Sequence, residues 1–212
     1  MKSFLFFPVV ALLFHALSWA ERKPVALGLM GGLNTSTLWG DNSNAFDEQS
    51  VWPIAAFSLA VNLPELLGIE MDLMYASRGS SFSSPADTGN YINTVKIHTL
   101  TVPLLLKITA PIGTEAQPIF FGGPAIAYFA SKGFASEKIY MMNGTVESKT
   151  VIPLISPENM RDYEILLVLG AGVEWWSGTV QCRINLAQGS LDTTKKMDIK
   201  TLTIDLLAGF VF

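Results

Sequence analysis

The chain has little that could carry chemistry of its own. It holds one cysteine, Cys182, and two histidines, His15 and His98, in 212 residues. A lone cysteine forms no internal disulfide, and metal centres built on clustered Cys and His are excluded. Nothing else in the sequence calls for a cofactor, and the environment expected for Cys182 is that of a buried, inert thiol. Charge is also scarce, at 15% Asp, Glu, Lys and Arg against the ~25% usual in soluble domains. The basic residues are not clustered and the net charge is -4, so a surface that tracks nucleic-acid phosphates is excluded.

Long apolar runs are missing too, except at the very start. "MKSFLFFPVVALLFHALSWA" has one lysine, an apolar run from Phe4 to Leu17 and the small residues Ser18 and Ala20 around Trp19. This pattern predicts a secretory signal peptide, residues 1–20, cleaved after Ala20. The run is short of the roughly 20 residues a membrane helix needs. The expected mature chain, 21–212, is one domain by length. Losing Lys2 leaves 13 Lys+Arg against 18 Asp+Glu, a net charge of -5, with His98 as the sole histidine.

What is present is hydrophobicity without helices: half the residues are apolar. An exported chain of that kind has one physical solution, because a closed β-barrel is the only other structure that satisfies every backbone group in lipid. Alternation with period two supports it. "GIEMDLMYASR" sets Ile69, Met71, Leu73 and Tyr75 against Glu70, Asp72, Met74 and Arg78. The terminal "KTLTIDLLAGFVF" sets Leu202, Ile204, Leu206, Phe210 and Phe212 against Thr203, Asp205 and Gly209. Eight such segments are present, and the reading is an all-β, eight-stranded antiparallel up-and-down transmembrane barrel. In "TVKIHTLTVPLLLKI" the apolar phase changes, which a bulge near His98 would reconcile. "IFFGGPAIAYFAS" is apolar on both faces, and its phase is open.

Connections alternate in length. "LPELLG", "TAPIGTEAQP" and "WSG" are short, whereas "GDNSNAFDEQS", "GSSFSSPADTGNYIN", the stretch from Lys132 to Arg161 and "QGSLDTTKKMD" are long. Long external loops and short periplasmic turns are the rhythm of an outer-membrane barrel, with both termini periplasmic. "KIYMM" and "TVIPLI" within the longest loop are suited to extending the strands as a hairpin, whose edge would be open to a protein partner.

A lipocalin-like soluble barrel would turn its large apolar residues inward. Here the second face is mostly small or polar, which suits the side-chain-filled lumen of eight strands, while the apolar face suits lipid. Tyr75, Trp175, Phe210 and Phe212, near strand ends, are the expected aromatic girdle. The lumen charges are Glu70, Asp72, Lys107, Glu174, Arg183 and Asp205. Pairing the last two strands with Ser190 opposite Asp198 sets Arg183 opposite Asp205, with Glu174 diagonal to Arg183 and Lys107 approaching Glu70. Such charges are expected to pair and to hold the barrel closed.

The pieces "GLMGGLNTSTL", "LGIEMDLMYASRG", "TLTVPLLLKI", "FFGGPAIAYF", "VLGAGVEW" and "LLAGFVF" together resemble the PorT-like outer membrane β-barrel proteins of Gram-negative bacteria. The barrel is expected to be a monomer in outer-membrane lipid, and the resemblance implies a secretion-associated role. It also implies a C-terminal strand whose Phe210 and Phe212 are read by the barrel assembly machinery. Two functional classes follow: a non-enzymatic structural or interaction protein, and a lipid- or lipopolysaccharide-modifying enzyme resting on His98.

Overall fold

The computed structural model describes residues 24–40, 48–63, 66–86, 89–110, 116–141, 146–151, 159–194 and 198–212; the expected signal peptide lies outside them. The strands are β1 (Val25–Gly40), β2 (Glu48–Asn62), β3 (Leu67–Ala86), β4 (Gly89–Thr109), β5 (Ala116–Met141), β6 (Val146–Val151), β7 (Tyr163–Trp175), β8 (Gly178–Ala187) and β9 (Ile199–Val211). Eight of them form a closed antiparallel barrel in which β4 pairs with β5, β5 with β7, and β9 returns to β1. The remaining strand, β6, pairs with the far end of β5.

The ladder fixes the barrel's shape. A path leaving β1 at Val25 passes through Val61, Ile69, Leu106, Gly122, Leu169, Ile184 and Ile204 and regains β1 at Thr35, ten residues on. Closing eight strands with that stagger tilts them by about 40° from the barrel axis. Each strand then shows one residue in two to the outside. Leu29, Leu33, Leu73, Leu104, Phe120, Ile165 and Leu206 are all about half exposed there, a continuous apolar band of the kind lipid covers. Inside, two apolar patches, one around Leu105, Phe121 and Leu166 and one around Met30, Ile54 and Leu207, alternate with polar side chains.

Four features refine or correct the sequence reading. Where "GSSFSSPADTGNYIN" reads as a loop, β3 and β4 run on in unbroken register from Leu67↔Ile108 to Ala86↔Gly89. The ladder is made by the backbone and continues through serine, threonine and asparagine, which leave no apolar face to count. A register irregularity does fall at His98, in the pairing of β4 with β5, but it does not change the phase of β4 there, since Ile97 and Thr99 are both buried. Cys182 is exposed on the outer face, because its neighbours Gln181 and Arg183 take the inward positions. The expected hairpin is present, with "KIYM" in β5 and a return strand, Val146–Val151, that holds Thr150 and Val151 of "TVIPLI"; residues 152–155 lie outside the described residues.

The open phase of β5 is also settled. Ile119, Phe121, Ala125, Ala127 and Phe129 face inward, and Phe120, Ile126 and Tyr128 face out. An aromatic fits inside because Gly170 lies beside Phe121 in the ladder. A Cβ on Gly170 would stand 2.3 Å from the Phe121 ring and 2.6 Å from the Cys182 carbonyl oxygen.

Candidate functional site: the lumen network and the outer face

Strand alternation points Glu70 and Asp72 of β3, Lys107 of β4, Glu174 of β7 and Arg183 of β8 into one stretch of lumen near the short turns. Arg183 is wholly buried. Its Nη2 donates to Glu70 Oε1 at 3.0 Å, its Nη1 to Asp72 Oδ2, and its Nε to Gln181 Oε1 at 3.0 Å. The guanidinium lies 5.0 Å from the centroid of the Phe121 ring, a cation–π arrangement made stronger by exclusion of water. Lys107 Nζ lies 3.5 Å from Glu70 Oε2 and also donates to Glu174 Oε1. Asp72, Arg183, Glu70, Lys107 and Glu174 thus form a chain of alternating sign across the barrel. A buried charge without such partners would be costly to keep ionised.

The register pairs Arg183 with Asp205, but the two side chains do not meet. Arg183 reaches across the lumen to β3. Asp205, too short to follow, accepts instead from Nδ2 of Asn34 and, at 2.8 Å, from Nδ2 of Asn185. Glu174 is likewise drawn to Lys107 rather than to Arg183. Both corrections have one cause: facing positions in adjacent strands set where side chains start, and in a narrow lumen the long ones end on the far wall.

A second ion pair, not predicted from the sequence, joins β3 to β7. Arg78 Nη1 donates to Glu164 Oε1 at 2.9 Å and Nη2 to Thr101 Oγ1 at 3.1 Å, while Thr201 Oγ1 lies 2.8 Å from Glu164 Oε1. The available signal was that both charges occupy inward phases far from the short turns. Nothing in adjacent-strand pairing brings β3 to β7.

On the outer face, Tyr75 is 49% exposed and Trp175, Phe210 and Phe212 are each about 40% exposed. Trp175 adjoins the two-residue β7–β8 turn, where Trp176 has a φ of 46°, and the backbone groups of Phe212 and Leu27 bond each other at 2.7 and 2.9 Å. At the far end, the ladder joins Tyr75, Leu100, Tyr128 and Tyr163 in one row. His98 stacks on Tyr75 at 11° with ring centroids 5.9 Å apart, and its Nδ1 lies 2.9 Å from Tyr75 Oη and 3.1 Å from Ser77 Oγ. Among the described residues no carboxylate contacts His98, and no cluster of His, Cys, Asp or Glu could hold a metal ion.

Three solved structures are similar to this chain in fold. The attachment invasion locus protein Ail of Yersinia pestis, solved with the heparin analogue sucrose octasulfate, is 17% identical, with a TM-score of 0.45, over 90% of this chain and 100% of that one. Outer membrane protein OprG of Pseudomonas aeruginosa is 10% identical, with a TM-score of 0.44, over 90% and 97%. Neisserial surface protein A is 9% identical, with a TM-score of 0.43, over 88% and 97%. No curated protein matches the chain. The family model described as "Outer membrane protein beta-barrel domain" matches residues 16–188, and with its closed eight-stranded wall and lipid-facing band the chain belongs to that family of multi-pass outer-membrane β-barrels.

Proposed function

We propose that this is a non-enzymatic barrel that works through what it displays outside the membrane, as an interaction or secretion-associated protein. The observation that carries the reading is the asymmetry of the barrel's two ends. At one end the strands close in short turns. At the other, β3, β4 and β5 continue past the tyrosine row as a sheet that ends in β6. From Tyr128 to Met141, β5 rises roughly 30 Å at its tilt, more than closing a barrel requires. The lumen network is structural in this reading, a set of paired charges that plugs the barrel and braces β3, β4, β7 and β8. The PorT-like resemblance adds the secretion-associated role, and Phe210 and Phe212 add recognition by the assembly machinery after removal of residues 1–20.

The test is a deletion. Barrels lacking the segment between Lys132 and Arg161 should assemble normally yet lose the protein cross-links that the intact barrel forms at the cell surface. Identical cross-linking profiles would sink the reading. The rival is a lipid-modifying enzyme, favoured by one observation, the contact of Ser77 Oγ with His98 Nδ1. We expect His98→Ala to leave outer-leaflet lipid composition unchanged, because Tyr75 shares that nitrogen and, among the described residues, no acid orients the ring. Altered acylation in the variant would favour the enzyme.

A further inference from the structure

We propose that β6 is a self-adhesive edge that joins this chain to a second copy of itself standing in an opposed outer membrane. The proposal rests on the display reading above and names its partner. Beyond Ser81, where the described pairing of β3 with β2 ends, the described sheet runs β3, β4, β5, β6 and has two outer strands. The β3 margin carries Pro85, which lacks the N–H that a new ladder needs and so blunts that edge. Strand β6, "VESKTV", has neither proline nor glycine. Among the described residues it pairs with β5 alone.

The sequence of β6 is complementary to itself. In antiparallel self-pairing centred on Ser148, Glu147 takes the register position opposite the second copy's Lys149, and Lys149 that opposite the second copy's Glu147. Sliding the register by two residues, the smallest step that keeps each side chain on its own face of the sheet, sets Glu147 against Glu147 or Lys149 against Lys149, which like-charge repulsion disfavours. A charged edge normally repels other strands; this one favours the centred register of itself over the two in-phase registers beside it.

Symmetry then decides where the second copy stands. Two copies that share one patch are related by a two-fold axis. For antiparallel strands that axis is perpendicular to the sheet. The sheet continues the barrel wall, with strands about 40° from the barrel axis, so the operation reverses the barrel. Two barrels in one membrane point the same way and cannot make this contact. Two barrels in facing membranes can. Ser148 pairs with Lys138, about 25 Å beyond Tyr128 along the axis, which sets facing membranes roughly 50 Å apart. A six-residue edge binds weakly alone, but many copies across two membranes bind with high avidity.

The experiment uses the whole barrel in outer-membrane vesicles labelled with two dyes, with gel mobility of unboiled samples confirming that every variant is folded. Wild-type vesicles should cluster with each other. Glu147→Lys vesicles and Lys149→Glu vesicles should each cluster among themselves about tenfold less, and a mixture of the two should recover clustering, since every facing pair is again of opposite sign. With Cys182 replaced by serine, Ser148→Cys should cross-link between vesicles and not between copies within one vesicle. Absence of wild-type clustering, no recovery in the mixture, or cross-linking confined to single vesicles would overturn the proposal. If the hairpin deletion nevertheless removes cross-links to another protein, the display reading stands and self-adhesion alone falls.

Discussion

At the scale of single residues, the arrangement around Arg183 shows how a narrow lumen chooses partners. Five donors in a planar fork meet two carboxylates on β3 and the Gln181 amide, and the ring of Phe121 closes the remaining face. Lysine has the charge but not the fork, so it would leave one carboxylate unmet. Removing one partner of a buried ion pair typically costs about 3–5 kcal/mol. Arg183→Met should therefore lower the barrel's resistance to urea by that order, read as the shift between folded and unfolded bands on unboiled gels. Adding Asp72→Leu should recover much of the loss, because Glu70 keeps Lys107 as its partner. Adding Asp205→Leu should recover nothing, because Asp205 is held by Asn34 and Asn185. Recovery by Asp205→Leu and not by Asp72→Leu would mean that Arg183 pairs along the ladder rather than across the lumen.

At the scale of strands, Phe121, Gly170 and Arg183 occupy one row of the ladder across β5, β7 and β8. The missing side chain at Gly170 is the space in which the Phe121 ring lies under the guanidinium. Gly170→Ala should destabilise the barrel by about 1–3 kcal/mol through overpacking. Trimming Phe121 to leucine in the same chain should return only part of that, since the Cys182 carbonyl oxygen also crowds the new Cβ; full recovery would show the backbone contact to be unimportant. This row also marks how far sequence can be read. Period-two alternation and the tight "WSG" turn are local, so the existence of the strands, their order and the Arg183↔Asp205 register follow from β7, β8 and β9 alone. The phase of β5 is not local: with Gly122, Gly123 and Pro124 flanked by apolar residues, only the gap at Gly170 tells Phe121 which way to face. The Arg78–Glu164 pair is further out of reach, since it depends on the stagger of ten residues that the closed ring imposes. The outer halves of β3 and β4 escape notice because, past the lipid, no pressure keeps one face apolar.

At the scale of the molecule, the barrel is closed by the seam between β1 and β9, and Phe212 takes part in the closure. Phe212 exchanges backbone hydrogen bonds with Leu27, while its side chain lies outside with Phe210 and Trp175 at the turn end of the wall. Phe212 contributes two ladder bonds and an exposed ring on the outer face, and we propose, from the resemblance, that the ring is also read during assembly. Substitutions divide them. Phe212→Ala keeps the ladder bonds and removes the ring, whereas deleting residue 212 removes both. If the ring matters only at the interface, Phe212→Ala should cost on the order of 1–3 kcal/mol of stability and leave the yield of assembled barrel in cells unchanged. If the ring is read during assembly, the cellular yield should fall well beyond what that loss explains, while refolding of the purified variant into detergent proceeds normally. We expect the second pattern, with the deletion impaired in both settings because the β1–β9 seam then loses its terminal pair of bonds. Equal loss in cells and in detergent for Phe212→Ala would assign the residue to the wall alone.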